Sequence, residues 1–309
     1  FRYGQKEIIE NVLAGDNALG ILPTGSGKSL CYQVPGLMFG GTTLVISPLI
    51  SLMQDQVDAL KKRGINAECI NSTMSKVDLN RVMDRMMNGD LQFLYVAPER
   101  FNNEAFRAAV VNTKIPFVAF DEAHCISKWG HDFRPSYQSI IPELKGLLPD
   151  AQIVAVTATA TEEVEHNIQE LLDIDNHAVF KTSVKRENLI LSVNPTYQRE
   201  QFILSYIQNH IDSSGIVYVS TRAEVEKLSE YLNEYDIGNV IYHGGLGKKE
   251  RSINQQKFVS DEVKIVIATN AFGMGIDKPD IRYIIHFNLP GDLESYYQEI
   301  GRAGRDGLD

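Results

Sequence analysis

Three groups of residues in this sequence have the types and spacing to do chemistry on a polyphosphate. Leu22-Pro23-Thr24-Gly25-Ser26-Gly27-Lys28-Ser29 follows a short apolar run and leads into a helical pattern. That is the setting in which a glycine-rich loop cradles phosphates. Gly25 and Gly27 let the backbone curl so that N–H groups and a helix N-terminus face the anion. Lys28 is suited to the β- and γ-phosphates, and the Ser29 hydroxyl to Mg²⁺. Leu22 stands where the usual pattern has its first glycine. A glycine-rich turn that merely opens a helix is the bland alternative; the order of strand, loop, Lys-Ser and helix favours phosphate binding.

The second group is acidic. Phe117-Val118-Ala119-Phe120 reads as a buried strand and delivers Asp121-Glu122-Ala123-His124 at its carboxyl end, where open α/β sheets bind ligands. Adjacent carboxylates there cost stability unless a cation or water uses them. Asp121 is suited to holding Mg²⁺ through water, and Glu122 to polarising the attacking water as general base. Two solvated acids capping a helix are the alternative, and the company of Lys28 tells against it.

The third group is aromatic and basic. Trp129, the only tryptophan, shares a short polar stretch with Lys128, His131, Phe133 and Arg134. Exposed rings stack bases at ~1–3 kcal/mol each, while neighbouring cations hold phosphates. Trp129 and Phe133 could instead plug a core, but Gly130, Pro135 and the flanking charges argue for exposure.

These residues need elements to position them. Short β-rich runs alternate with helical patterns, the signature of βαβ units around a parallel sheet. The first-half runs are Ala18–Leu22, Thr43–Ser47, Gln92–Val96, Phe117–Phe120 and Ile153–Val156, with helices over Leu49–Lys62 and Lys76–Met87 and from near Thr161. The second half repeats the scheme with strands at Gly215–Val219, Val240–Tyr242, Lys264–Ala268 and Tyr283–Phe287. Its helices are Arg222–Asn233, Lys248–Val259 and Leu293–Glu299. A further strand is expected at Leu189–Val193, and a boundary near Ser183 divides the chain into domains 1–182 and 183–309. The expected fold is α/β, with two doubly wound parallel-sheet domains in tandem.

Composition sets the limits. With 309 residues, 43% hydrophobic and 23% charged, the chain is an ordinary globular one of about two domains, not disordered or fibrous. Its net charge of −10, from 40 acidic and 30 basic residues, confines any nucleic-acid site to a local patch on an acidic body. Cys31, Cys69 and Cys125 lie far apart, which gives neither a zinc site nor a disulfide framework and fits a reducing compartment. No membrane span or signal peptide is visible. The start at Phe1 without methionine suggests a fragment.

The order of phosphate loop and DEAH motif resembles the superfamily 2 helicases, and the residues around them resemble the RecQ DNA helicases. The matching segments are Phe1-Arg2-Tyr3-Gly4-Gln5, the run from Leu22 to Gln33, Ser47–Gln56, Tyr95–Arg100, the aromatic loop Ala123–Tyr137, and Gln298–Gly307. The resemblance covers essentially the whole chain. It implies two RecA-like domains with ATP·Mg²⁺ in the cleft between them, and 3′-to-5′ movement on single-stranded or forked DNA in repair and recombination.

Residue by residue, the resemblance places Arg2 and Gln5 on the adenine, and Asp277 on the ribose. The aromatic loop then senses DNA and signals through His124. Thr157 and Thr159 link ATP state to domain movement, while Ser220, Arg222 and Thr269 contact DNA phosphates. Gln298, Arg302 and Arg305 serve the triphosphate. A guanidinium reaching the γ-phosphate is worth ~10³–10⁵ in rate, and Arg305 is expected to be that finger, with Arg302 a second phosphate or interdomain contact. His243 is read as structural.

The family's zinc-ligand cysteines and winged helix are not in these residues, so translocation is expected more firmly than unwinding. The location expected is intracellular: cytoplasmic and nucleoid-associated in a bacterium, or nuclear in a eukaryote. Protein partners are not legible. An RNA helicase and a non-catalytic clamp remain the alternatives, against which the aromatic loop and the intact Lys28, Glu122 and Arg305 respectively count.

Overall fold

The computed structural model describes all residues except Ser72, Thr73, His131, Ser183, Val184, Lys185, Met274, Gly275, Asp277 and Asp309, and only the backbone of Ser51. The chain divides into two compact units, Phe1–Val184 and Lys185–Asp309.

In the first unit the strands are β1 (Ala18–Ile21), β2 (Thr43–Ile46), β3 (Ala67–Ile70), β4 (Phe93–Val96), β5 (Phe117–Asp121), β6 (Gln152–Thr157) and β7 (Val179–Lys181). They form one sheet in the order β3-β4-β2-β5-β6-β1-β7, parallel throughout. Strand alternation divides its side chains between two cores. Leu19, Leu44, Val118 and Ala155 face one, and Ala18, Val45, Ala119 and Val154 the other.

Helices α1 (Gln5–Ala14), α2 (Leu30–Met38) and α3 (Ile50–Lys62) cover the second face with residues such as Ile8, Tyr32 and Val57. The first face is covered by α4 (Lys76–Met87), α5 (Glu104–Val111), α6 (Pro135–Leu147) and α7 (Glu162–Leu172). Both faces are therefore dry, which is why the strands read as continuous apolar runs.

The second unit carries β8 (Ser214–Tyr218), β9 (Asn239–Tyr242), β10 (Ile265–Ala268) and β11 (Ile281–His286) in the parallel order β11-β8-β10-β9. Its helices are α8 (Arg199–Asn209), α9 (Arg222–Asn233), α10 (Lys248–Val259) and α11 (Leu293–Ile300). Thr221 and Glu224 close a capping box that starts α9, as the Thr-x-x-Glu spacing requires.

Three differences from the expected elements have physical causes. Strand β3 carries Glu68, paired with Lys61 and Arg85, and this charge breaks its apolar run; β7 is a short, half-exposed edge strand. The strand expected at Leu189–Val193 does not form: Ile190 and Val193 are 87% and 92% exposed. The residues just before it, Arg186 and Asn188, bond the turn after α11 instead of a neighbouring strand.

Candidate nucleotide site and aromatic loop

In the first sheet β5 and β6 lie between β1 and β2, so the chain leaves β1 and re-enters the sheet three places away. Such a switch point opens a crevice at the strands' carboxyl ends. The phosphate loop, the acidic pair and Thr157 are brought together there. Leu22 N donates to Thr157 O at 3.0 Å, tying the base of the loop to the end of β6.

Gly25 and Gly27 have φ of 78° and 80°, the left-handed region that glycine occupies without penalty. Gln5 is buried, and its Nε2 donates to Ser26 O (2.7 Å) and Gly27 O (3.1 Å) while its Oε1 accepts from Arg2 N (2.8 Å). The Arg2 guanidinium donates to Gly25 O. A Cβ on Gly27 would stand 2.8 Å from Gln5 Nε2, so a side chain there would push the Gln5 amide aside as well as strain φ. Sequence reasoning put Arg2 and Gln5 on an adenine; here their donors clamp the loop from behind. In a trans peptide the carbonyl and the following N–H point oppositely, so this clamp turns the N–H groups of Gly27 and Lys28 away from Gln5.

Two of the loop's hydroxyls, those of Ser26 and Ser29, are not consumed by the fold. Ser29 precedes α2 without capping it, and Ser26 Oγ is buried with no hydrogen-bond partner. Thr24 is half-buried beside it. Among the described residues, no hydrogen bond or ion pair engages Lys28 Nζ.

Asp121 ends β5 in full burial, with its Oδ1 accepting from Glu122 N at 3.1 Å. Tyr137, buried in α6, aims its hydroxyl at Asp121 O (2.5 Å) and Ile46 O (2.7 Å), holding the acidic strand end against β2. Burial first, and then the charge of Glu122, push the Asp121 carboxyl up to about 7, against the pull of Lys28. Glu122 adopts a left-handed φ of 49°, a conformation that costs ~1–3 kcal/mol and collects at functional sites. Its Oε2 is buried without a hydrogen bond, 3.5 Å from His124 Nδ1. A carboxylate awaiting a counter-charge, a free hydroxyl at Ser29 and two orphaned oxygens are a hard donor set that suits Mg²⁺ beside a phosphate.

His124 Nδ1 lies 2.9 Å from Thr157 Oγ1, whose hydroxyl reaches Thr159 O at 3.1 Å. Thr159 is half-buried and its own hydroxyl is unsatisfied. On the far side of His124 the chain continues into the aromatic loop through Cys125 Sγ, 3.5 Å from His124 Nε2 and 3.6 Å from Asp132 Oδ2. Arg134 is anchored rather than free, bonding Asp132 Oδ2 (2.9 Å) and Pro48 O (2.8 Å). Trp129 is 69% exposed, Lys128 is exposed and Phe133 half-buried, so the core-plug alternative fails for Trp129. Gly130 packs so closely that a Cβ would meet His124 O at 2.2 Å. His131 lies outside the described residues.

In the second unit, Ser220 and Arg222 are exposed at the end of β8. Arg222 lies over Gly244 and Gly245, with no hydrogen bond or ion pair among the described residues. Thr269 differs from expectation. It is buried, its hydroxyl accepting from Ala271 N at 3.4 Å, and the exposed polar side chain of that turn is Asn270. Asp277 lies outside the described residues. Gln298 is half-buried on α11.

Arg302 is the residue expected at a second phosphate or interdomain contact. Its side chain is buried and donates to Gly273 O, because Gly273 leaves room where a Cβ would stand 2.3 Å from the guanidinium. Arg305 remains half-exposed and donates to Ile276 O at 2.8 Å. His243 is buried, accepting from Gly245 N at 3.1 Å. Sequence reasoning missed Tyr137, and it missed the buried Glu299, which pairs with His286 at 2.8 Å.

Residues 2–167 match the family model described as DEAD/DEAH box helicase, and residues 198–307 match that of the helicase conserved C-terminal domain. The chain belongs to the DEAD/DEAH box helicase family. It is 48% identical to the ATP-dependent DNA helicase RecQ of Bacillus subtilis over 309 residues, covering all of this chain and 52% of that protein. It is 44% identical to that of Pasteurella multocida, of which it spans 49%. This chain thus spans about half the length of the curated relatives it matches.

A solved structure of helicase MrfA bound to DNA aligns with 98% of this chain and 44% of its own at TM-score 0.79 and 19% identity. Yeast Dbp5 bound to RNA and ADP BeF3 aligns at 0.74 and 18%, covering 99% and 81%. These agree with two RecA-like parallel-sheet units. No helix among the described residues is long and apolar enough to cross a membrane.

Proposed function

We propose that this chain is the ATP-driven motor of a RecQ-type DNA helicase, coupling Mg²⁺-dependent ATP hydrolysis to 3′-to-5′ movement on single-stranded DNA and to duplex unwinding in repair and recombination. The observation that carries this reading is the run of contacts from the strand ends bearing Glu122 and Thr157 through His124 and Cys125 to Asp132 and Arg134, in the loop that exposes Trp129. Lys28 meets the β- and γ-phosphates, and the N–H groups of Gly27 and Lys28 line the loop that receives them. Glu122 takes a proton from the attacking water. Ser29 and Asp121 would hold Mg²⁺, which when bound offsets phosphate charge.

Domains 1–182 and 183–309 form the two halves of the motor, with ATP in the cleft between them and Asp277 near the ribose. Arg305 stabilises charge on the transferring phosphoryl group when the cleft closes, so hydrolysis follows domain movement. DNA is held by the aromatic loop, by Ser220 and Arg222, and by the Thr269–Asn270 turn. The acidic body implies few phosphate contacts and a salt-sensitive affinity. Forked or partly duplex DNA is the substrate class, in an intracellular compartment.

Phosphate release with and without single-stranded DNA tests the reading. Lys28→Ala abolishes turnover, and Glu122→Gln retains nucleotide binding but not cleavage. A flat trace for the unaltered chain with saturating DNA would mean a non-catalytic clamp, and stimulation by RNA alone an RNA motor.

A further inference from the structure

The glycine-rich turn that follows α11 is held through its carbonyls as well as through its own side chains. Arg186 Nη1 donates to Gly301 O (3.3 Å), and Nη2 donates to Ala303 O (3.2 Å) and to Gly304 O. Asn188 Nδ2 donates to Gly304 O (3.0 Å) and Leu308 O (2.8 Å). Arg186 Nε reaches Asn188 Oδ1 at 3.3 Å, which fixes the amide with its donors toward the turn.

A helix C-terminus favours a nearby cation; Arg186 supplies one just past α11 and with the same rigid fork bonds three carbonyls of the turn. Gly304 sits at φ 55°, and a Cβ there would stand 2.4 Å from Asn188 Nδ2. On the opposite side Arg302 and Arg305 bond the carbonyls of Gly273 and Ile276. The turn is thus pinned from two directions, and Arg305 projects from it.

We propose that Arg186 and Asn188 are positioning residues for Arg305, setting where its guanidinium lies for phosphoryl transfer. This rests on Arg305 acting at the triphosphate. A misplacement of about 1 Å can cost on the order of 10²-fold in rate. Arg186 spans three carbonyls with a planar fork, a geometry that a lysine ammonium cannot reproduce. The effect therefore belongs to shape and not to charge.

The test is a double-mutant cycle in the full chain, reading kcat and KM for ATP in DNA-stimulated phosphate release, with enough protein to follow slow turnover. Arg186→Lys lowers kcat by about tenfold or more, while KM for ATP and DNA affinity stay within about twofold and the melting transition is retained. In an Arg305→Ala background the same change costs nothing further, because the residue it positions is gone. Asn188→Ala, a smaller perturbation, repeats the pattern should Arg186→Lys melt early. A kcat within about twofold of the unaltered chain, or a full multiplicative loss in the Arg305→Ala background, overturns the proposal. Full turnover by Arg305→Ala alone overturns the finger reading itself, which separates the two failures.

Discussion

His124 Nδ1 and Thr157 Oγ1 stand 2.9 Å apart with both residues buried, and the direction of that bond follows from its neighbours. The Thr157 hydroxyl donates its one proton to Thr159 O, so its oxygen accepts from His124 Nδ1–H. Nε2 of the same ring faces Cys125 Sγ at 3.5 Å. Burial pushes the Cys125 thiol well above its usual range, so it stays protonated and donates to Asp132 Oδ2 at 3.6 Å. A continuous chain of polar contacts therefore joins Arg134 and Asp132 in the aromatic loop to the strand end beside the phosphate loop.

Breaking this chain uncouples rather than disables. His124→Ala and Thr157→Val retain nucleotide binding but lose most of the stimulation by single-stranded DNA, on the order of tenfold for a loss of ~1.4 kcal/mol in coupling. Phosphate release at saturating ATP, with and without DNA, measures the ratio. Equal loss of basal and stimulated rates would place His124 in the chemistry instead.

Trp129 is exposed, so Trp129→Ala leaves thermal stability nearly unchanged, as surface substitutions do within ±0.5 kcal/mol or so. DNA affinity falls by roughly 1–3 kcal/mol, the worth of a stacked base. Fluorescence anisotropy with labelled single strands and a melting curve check both halves. A large drop in melting temperature would show the ring packing as core.

Asp121 gives a pH signature. Its carboxyl, pushed up to about 7 from an ordinary 3.8, favours the protonated folded chain. Its ionisation therefore costs stability as pH rises from the ordinary carboxylate range, and the cost is complete above the folded value. Without nucleotide, this group makes the chain melt higher at about pH 6 than at about pH 8, and Asp121→Asn flattens the difference. Scanning calorimetry of both proteins decides the matter; identical slopes would remove Asp121 from the account.

Gln5 holds two carbonyls of the phosphate loop, so Gln5→Ala frees the loop's backbone. Two hydrogen bonds at about 1 kcal/mol each predict a rise in KM for ATP of roughly tenfold or somewhat more. Binding of GTP measured alongside separates the roles: an equal loss for both nucleotides reports loop shape, and a loss confined to ATP supports the adenine reading.

Much of the fold was legible because parallel sheets buried on both faces leave continuous apolar runs. The boundaries of α4, α9 and α10 match their periodicity to the residue. The segments that escaped were β3, whose apolar run is broken by the paired Glu68, β7, a short edge strand whose partner β1 lies far along the chain, and Leu189–Val193, a run of β-formers left unpaired. The site was legible where the chemistry is local, as in Gly25 through Ser29 and in Asp121-Glu122.

Residue type and spacing by themselves determined a phosphate loop on one strand, an acidic pair on another, an aromatic loop directly after it, and arginines in a glycine-rich turn. Only the tertiary structure decided which of these groups are engaged. It turned Gln5 onto the loop, Arg302 onto Gly273 and Arg186 onto the turn after α11. The physical reason is that a sequence displays donors, whereas the choice of acceptor depends on carbonyls that distant segments bring within 3 Å or so.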